Sequence, residues 1–457
     1  MPAVARNETG LPRQNGHGKP HAPTVRITGV PPTTKPPGPF EHQQRSPARQ
    51  RLVRITPAGP AILTPMLNPF ELERYFARWE FTAPFLLSAS DTEPWKMTEL
   101  LSLASPQMSN AWENLSLGYT ESAGHPVLRQ AIADLYTHSS SDGAGATPQQ
   151  LRSDNVLVFS CAEEAIYVSM RALLKPGDHV VCLWPSYQSL YDVALSVGAE
   201  VTMVELLEGD GWAISASQIK NAIRNTTRLV IINTPHNPTG SMPDHATWSS
   251  IVEAVDDAGA ILFADEVYRL LEHGDGGPLD TAASLSGRAI SLGSVSKAFG
   301  LAGVRIGWIA TRDASIFRTL ETYKDYTTIC ASAPAEVLAI IALTNWSHIV
   351  STQIAIVTAN LGHWERFMTD HKSLLRWVRP TGGSVGFPTW LGEGSVDEFA
   401  ENAVQEAGVM VLPSSVFRHG NPRHALTNNF RVGLGRKTFP GALDRLDTHI
   451  RARYGTG

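Results

Sequence analysis

The chain has 457 residues, 42% hydrophobic and 18% charged, the balance of an ordinary globular protein with room for two or three domains. A formal charge of −5 gives no reason to expect nucleic-acid binding, and no apolar run approaches membrane-spanning length, so neither partner is expected. Cys161, Cys182 and Cys330 are widely spaced, form no metal motif and cannot all pair, which points to a reducing compartment, the cytoplasm.

Residues 1–60 read as a disordered tail. "GVPPTTKPPGPFEHQQRSPARQ" is rich in proline, polar and basic residues and has no apolar periodicity. Glu8 and Glu41 are the segment's only acids. Mitochondrial presequences share that bias, but the prolines oppose the amphipathic helix they need. A mitochondrial address stays open beside the cytoplasmic one. Helical periodicity first appears in "MLNPFELERYFARWEF" (Phe70, Tyr75, Phe76, Trp79), and Met66 reads as a candidate natural start.

From about 150 to 310 short apolar runs alternate with helical segments. The runs are "NVLVFS", "DHVVCLW", "VTMVEL", "RLVIINT", "GAILFADE" and "RAISLGS". Helices such as "EEAIYVSMRALLKPG", closed by Pro176 and Gly177, lie between them. This alternation predicts an α/β fold with a mostly parallel sheet covered on both faces. Longer helices follow from about 330, then the strand-like "GVMVLP" and "FRVGLG", which suggest a smaller α+β domain.

Sheets of this kind bind ligands beyond the carboxyl ends of their strands, and polar motifs stand there. "SCAEEAI" passes from strand to helix, and a helix N-terminus suits a phosphate, although every such unit shares that geometry. Tyr187 in "CLWPSYQSLY" can stack on a planar ligand or serve as a core aromatic. Asn237 in "NTPHNPTG", taken alone, reads as a turn residue. "FADEVYRLL" places Asp265, Glu266 and Tyr268 just past a buried strand, where a carboxylate can hold a cationic heterocycle or cap a helix. "SVSKAFGLAGVRIGW" offers Ser294, Ser296, Lys297 and Arg305. Hydroxyls with arginine suit a phosphate dianion, and a desolvated lysine is a nucleophile.

Taken in this order the motifs resemble those of the fold-type I pyridoxal-phosphate (PLP) enzymes, specifically the class I and II aminotransferases, from about residue 66 to the end. The resemblance implies an aspartate-aminotransferase-like fold with a seven-stranded, mostly parallel sheet. It implies an N-terminal arm and part of the small domain over 66–115, a large PLP-binding domain over 116–330 and the rest of the small domain over 331–457. Lys297 is then the Schiff-base lysine, and Asp265 the partner of the protonated pyridine nitrogen. Asn237 and Tyr268 hydrogen-bond the ring hydroxyl, and Tyr187 stacks on the ring. Ser294, Ser296, Arg305 and the backbone at Cys161, Ala162 and Glu163 hold the phosphate. Tyr119 in "LGYTESAGHPVLR" matches the tyrosine that reaches the neighbouring subunit's cofactor, so a homodimer with shared sites is implied. Arg431 in "NNFRVGLGR" matches the arginine that grips the substrate's α-carboxylate; by itself it reads as a strand-edge charge. One departure is Cys161, where the family often has glycine.

PLP is an electron sink, and the freed Lys297 amine is the natural base for the α-proton of an L-amino acid. Transamination or β-elimination can follow. "ERYFARWEF", "LGYTESAGHP", "PHNPTG" and "KDYTTICASAP" are similar to a divergent branch near 1-aminocyclopropane-1-carboxylate synthase and capreomycidine synthase. They are also similar to aminotransferase-like enzymes of fungal gliotoxin-type secondary-metabolite clusters. The specific expectation is a C–S β-lyase that releases a thiol from a cysteinyl conjugate. The alternatives are a transaminase and an elimination–cyclisation on an arginine-like substrate. A non-enzymatic regulatory or partner subunit is disfavoured because Lys297 and Asp265 are both present. The side-chain pocket has candidates in Ser88 to Trp95, in Tyr119 and Glu121 of a partner, and in Tyr326 to Thr328.

Overall fold

Seven short strands pair into one sheet: β1 (Val156–Phe159), β2 (His179–Trp184), β3 (Glu200–Glu205), β4 (Thr227–Asn233), β5 (Ile261–Asp265), β6 (Ile290–Ser294) and β7 (Gly307–Ala310). Their order is β1-β7-β6-β5-β4-β2-β3. β7 runs antiparallel to both neighbours, and the remaining pairs are parallel. The computed structural model describes residues 67–138, 148–274, 276–417 and 428–455, all within the unit Ile62–Gly457. The expected tail over 1–60 and the candidate start at Met66 lie outside the described residues.

Six of these strands are the apolar runs read from the sequence. β7, "GWIA", is too short and too close to the glycines before it to announce itself. β1, β2, β5 and β6 are buried along their whole length, as a sheet covered on both faces requires. Successive side chains face opposite layers. Val180 and Cys182 join one apolar cluster with Leu157 and Phe263, whereas Val181 and Leu183 join another with Ile232 and Leu262.

The register brings the carboxyl ends of β4, β5 and β6 to one edge, with Asn233 opposite Asp265 and Asp265 opposite Leu292. The smaller α+β part lies at the C-terminal end of the chain. There Val385–Gly386, Phe430–Gly433 and Leu412–Pro413 form an antiparallel sheet. The helices Trp346–Asp370 and Phe439–Tyr454 close its core through Val357, Trp364, Leu446 and Ile450. Phe85–Leu86 pairs in parallel with Val409–Met410, so the segment before the large sheet also packs into this core. Gly433 is required there: a Cβ would overlap the Ala89 carbonyl.

No single helix among the described residues is long and apolar enough to cross a membrane. The apolar pair Ala333–Thr344 and Trp346–Asp370 bends by 79° at its break, and Leu338 to Leu343 are buried in the core.

Candidate active site

A cavity of about 470 Å³ opens where β4, β5 and β6 end. It is lined by Cys161, Ala162, Glu163, Tyr187, Asn237, Asp265, Tyr268, Ser294, Ser296, Lys297, Arg305 and Arg431, residues drawn from five separate motifs and the C-terminal strand. Tyr119 is the exception. It is 89% exposed and sits with Leu117, Cys330 and Pro334 in a separate surface depression.

One end of the cavity is built on the helix α1 (Ala162–Leu173), which starts directly after β1. A helix start leaves its first N–H groups without intrahelical acceptors. Cys161 Sγ accepts from Glu164 N at 3.4 Å, and the first two helical residues, Ala162 and Glu163, line the cavity with N–H groups that have no intrahelical acceptor. Cys161 holds φ 151°, a region that favours glycine and costs other residues about 1–3 kcal/mol. A glycine, the residue the resemblance leads one to expect here, would adopt this backbone without that cost. A Cβ on Gly307 would lie 2.6 Å from the Cys161 carbonyl carbon and nearer still to Ala162 N, so β7 presses against the turn as only glycine allows. Ser294 Oγ accepts from Ser296 N at 3.0 Å and lies 2.8 Å from Ser296 Oγ. Arg305, in a left-handed conformation with φ 58°, brings a guanidinium to the same end. Free N–H groups, hydroxyls and an arginine together suit a phosphate dianion.

Asp265 closes β5 and is 3% exposed. Burial pushes its carboxyl up to about 7, the Val267 N–H opposes this, and the Glu163 carboxylate adds to it. A cation beside it would restore the ionised form. Asn233 holds the neighbouring turn: its Oδ1 accepts from Asn237 N at 2.6 Å and its Nδ2 donates to the Asp265 carbonyl at 3.0 Å. Tyr187 and Tyr268 flank this region. Burial and the Glu163 carboxylate raise the Tyr187 phenol well above its ordinary range, so it stays protonated.

Lys297 Nζ donates to Ser90 Oγ at 3.0 Å and lies 5.6 Å from the centre of the Tyr268 ring. Thr92 Oγ1 donates to the Lys297 carbonyl at 2.6 Å. The "SASDTEP" stretch therefore closes on the lysine, as its candidacy for the pocket anticipated. Arg431 is 1% exposed. Its Nη1 donates to Asn237 Oδ1 at 3.1 Å and its Nη2 to the Ser88 carbonyl at 2.9 Å, while its Nε has no partner. A buried guanidinium with neutral partners and a free N–H is prepared for an incoming carboxylate.

Sequence reasoning missed the roof of the cavity. The helix Glu71–Trp79 contributes Leu72, Glu73 and Phe76, and the residues on either side add Phe70 and Glu80. Its periodicity was legible, but nothing local says which surface it covers. Asn233 was missed too, since a strand-end asparagine carries no motif of its own.

The residues fit PLP. The cradle of free N–H groups with Gly307 behind it matches a phosphate, the raised Asp265 carboxyl matches a protonated ring nitrogen, and the Lys297 amine matches an aldehyde. The comparisons agree. The family description "Aminotransferase class I and II" matches residues 107–439. Capreomycidine synthase of Streptomyces vinaceus is 28% identical over 309 residues, 66% of this chain and 77% of that protein. A PLP-dependent aminotransferase from Streptococcus suis superposes with a TM-score of 0.76 at 26% identity, covering 84% of this chain and 98% of that one. The PLP-dependent cyclase OrfR gives 0.73 at 25% identity, covering 86% and 100%. The fold is the aspartate-aminotransferase one, and the chain belongs to the class I and II aminotransferases, a family of enzymes whose cofactor is pyridoxal 5′-phosphate.

Proposed function

We propose that this enzyme binds an L-amino acid by its α-carboxylate at Arg431 and removes the α-proton with Lys297. The observation that carries the reading is the opening of the Lys297 amine and the buried, incompletely partnered Arg431 guanidinium into one cavity. At rest Lys297 would hold the cofactor's aldehyde carbon, with the phosphate on the N–H groups of Ala162 and Glu163, Ser294, Ser296 and Arg305. When bound, PLP supplies an electron sink for the bonds at the substrate's Cα.

Asp265 holds a proton at the ring nitrogen, because an ionised carboxylate in that buried place needs a cationic partner. With PLP bound, Asn237 and Tyr268 would serve the ring hydroxyl and Tyr187 would pack on the ring. Ser90 Oγ fixes the Lys297 amine at 3.0 Å, and the freed Nζ takes the proton from Cα. Arg431 fixes the carboxylate, which orients the Cα–H bond toward that amine.

Two outcomes share these residues. Transamination yields a 2-oxo acid. β-Elimination, the C–S lyase of the sequence analysis, yields a thiol, pyruvate and ammonia from a cysteinyl conjugate. Purified enzyme loaded with PLP and given S-conjugated cysteines separates them. Stoichiometric thiol and pyruvate mean a lyase. Keto acid without thiol means a transaminase. Retention of the amino acid's α-proton under all conditions overturns the reading itself.

The reading includes a homodimer with shared sites and a reducing compartment. Leu117, Tyr119, Tyr326 and Ile329 are all exposed apolar or aromatic side chains, which supports the first. Three free cysteines support the second.

A further inference from the structure

The helix over the cavity carries charge that nothing in the foregoing reading uses. Glu73, Phe76 and Glu80 stand three and four positions apart, on one face of Glu71–Trp79 and its C-terminal cap, and all three line the cavity. The presented face is pinned from both sides. Glu71 N donates to Gln188 Oε1 at 2.9 Å and Asn68 Nδ2 to Asp192 Oδ1 at 2.8 Å, on the large-sheet side. Tyr75 OH donates to the Val411 carbonyl at 3.1 Å and Arg78 pairs with Glu401 at 2.8 Å, on the small-domain side.

Phe76 fixes the position of this face relative to the substrate anchor, since the Arg431 guanidinium lies 5.9 Å from the centre of its ring. At 1.5 Å per residue, Glu73 and Glu80 stand ~4.5 and ~6 Å along the axis on either side of Phe76. A substrate held by its carboxylate at Arg431 therefore extends its side chain beneath two carboxylates.

The charges can be assigned in pairs. The lining cations are Lys297, Arg305 and Arg431, and the lining acids are Glu73, Glu80, Asp91, Glu163 and Asp265. Arg436 Nη2 shares both oxygens of Asp91, at 2.9 and 2.8 Å. Arg431 takes the α-carboxylate, Arg305 the phosphate and Asp265 the ring nitrogen. Glu163 lies beside Tyr187, on the cofactor side. Glu73 and Glu80 are left, and neither carboxylate makes a hydrogen bond or ion pair among the described residues. Burial raises the Glu80 carboxyl, and Glu73 and Asp91 raise it further, while the Arg436 guanidinium, engaged by Asp91, opposes them only in part.

We propose that Glu73 and Glu80 form a side-chain subsite for a cation, so that the amino-acid substrate carries a guanidinium or amine at the far end of its side chain. The buried, partly unpartnered Arg431 in the same cavity sets the ligand's direction: carboxylate inward, cation beneath the helix. This inference rests on the reading of Arg431 as the carboxylate anchor. A dicarboxylic amino acid would add a third negative charge beneath this helix. The subsite is indifferent to whether transamination or elimination follows.

The test is a titration of the PLP-loaded enzyme with L-arginine and with L-citrulline, its neutral near-isostere, read by the cofactor's absorbance at low salt. L-Arginine should bind at least about tenfold tighter in the wild type, and the preference should fall below about threefold in the Glu73→Gln/Glu80→Gln double variant. Equal affinity in the wild type overturns the subsite while leaving Arg431 as the anchor. A preference that survives in the double variant overturns the assignment to these two residues. A spectrum that responds to neither amino acid, nor to L-norleucine, overturns the reading on which the subsite rests.

Discussion

Arg431 Nη1 lies 3.1 Å from Asn237 Oδ1, across 194 residues of chain. The contact joins the last strand of the small domain to the turn that follows β4. It sets the proposed carboxylate anchor against the turn proposed to serve the cofactor, and so ties the two together by a hydrogen bond.

Removing that anchor should weaken amino-acid binding. Losing one partner of a buried charge-assisted contact costs about 2–5 kcal/mol. Arg431→Ala should therefore raise the dissociation constant of amino acids by ~30-fold or more, read from the cofactor's absorbance, while PLP stays bound. Unchanged affinity would place the carboxylate elsewhere.

Lys297 should carry the cofactor covalently. Borohydride reduction of the PLP-loaded enzyme followed by peptide mapping should mark Lys297 alone, and Lys297→Ala should keep its circular dichroism but take up no label. A marked lysine at any other position refutes the assignment.

Asp265 gives a pH dependence with a definite sign. In the cofactor-free chain its folded pKa, about 7, stands above the ordinary 3.8. A raised acid favours the folded state below the ordinary value, and this contribution is lost as pH rises to about 7. Asp265→Asn removes the titration. The cofactor-free wild type should lose stability relative to this variant between pH ~4 and ~7, by at most ~4 kcal/mol. Parallel urea-denaturation curves across that range would show the burial argument to be wrong.

Gly307 should be intolerant of a methyl group. Gly307→Ala forces β7 away from the Cys161 turn, at about 1–3 kcal/mol of stability. PLP affinity should fall with it, measured by fluorescence titration. Gly287→Ala, where an added Cβ meets nothing within 4 Å, should change neither quantity. Equal behaviour of the two variants would remove the close approach from the argument.

The proposed dimer should be visible by sedimentation. Leu117 is 83% exposed beside Tyr119, and a charge placed there opposes burial against a second chain. The wild type should sediment as two chains, and Leu117→Glu should shift it toward one. A monomeric wild type would end the shared-site proposal.

Much of the site was legible because its chemistry is local. A phosphate cradle needs a strand, a sharp turn and a helix start within a few residues, and "VFSCAEEAI" shows all three. The lysine proposed to hold the cofactor, in an apolar, hydroxyl-rich loop, is likewise visible in "SVSKAFG". Arg431 was legible only through resemblance, since one arginine in a strand has no local signature. The resemblance assigns Tyr119 to a neighbouring subunit's cofactor, and in its own chain it lies outside the cavity. Its exposure agrees with that, although a single chain cannot show where it reaches.

By itself the sequence determined the six apolar runs, their alternation with helices and the order of the cofactor motifs. These follow from side-chain periodicity and from turn residues a few positions apart. Only the tertiary structure decided that β7 inserts antiparallel between β1 and β6, that Glu71–Trp79 roofs the cavity, and that Arg431 meets Asn237. An amphipathic helix specifies that one face will be covered, not by what. The partner is chosen by packing between segments hundreds of residues apart, and that choice brought two acidic side chains to the cavity.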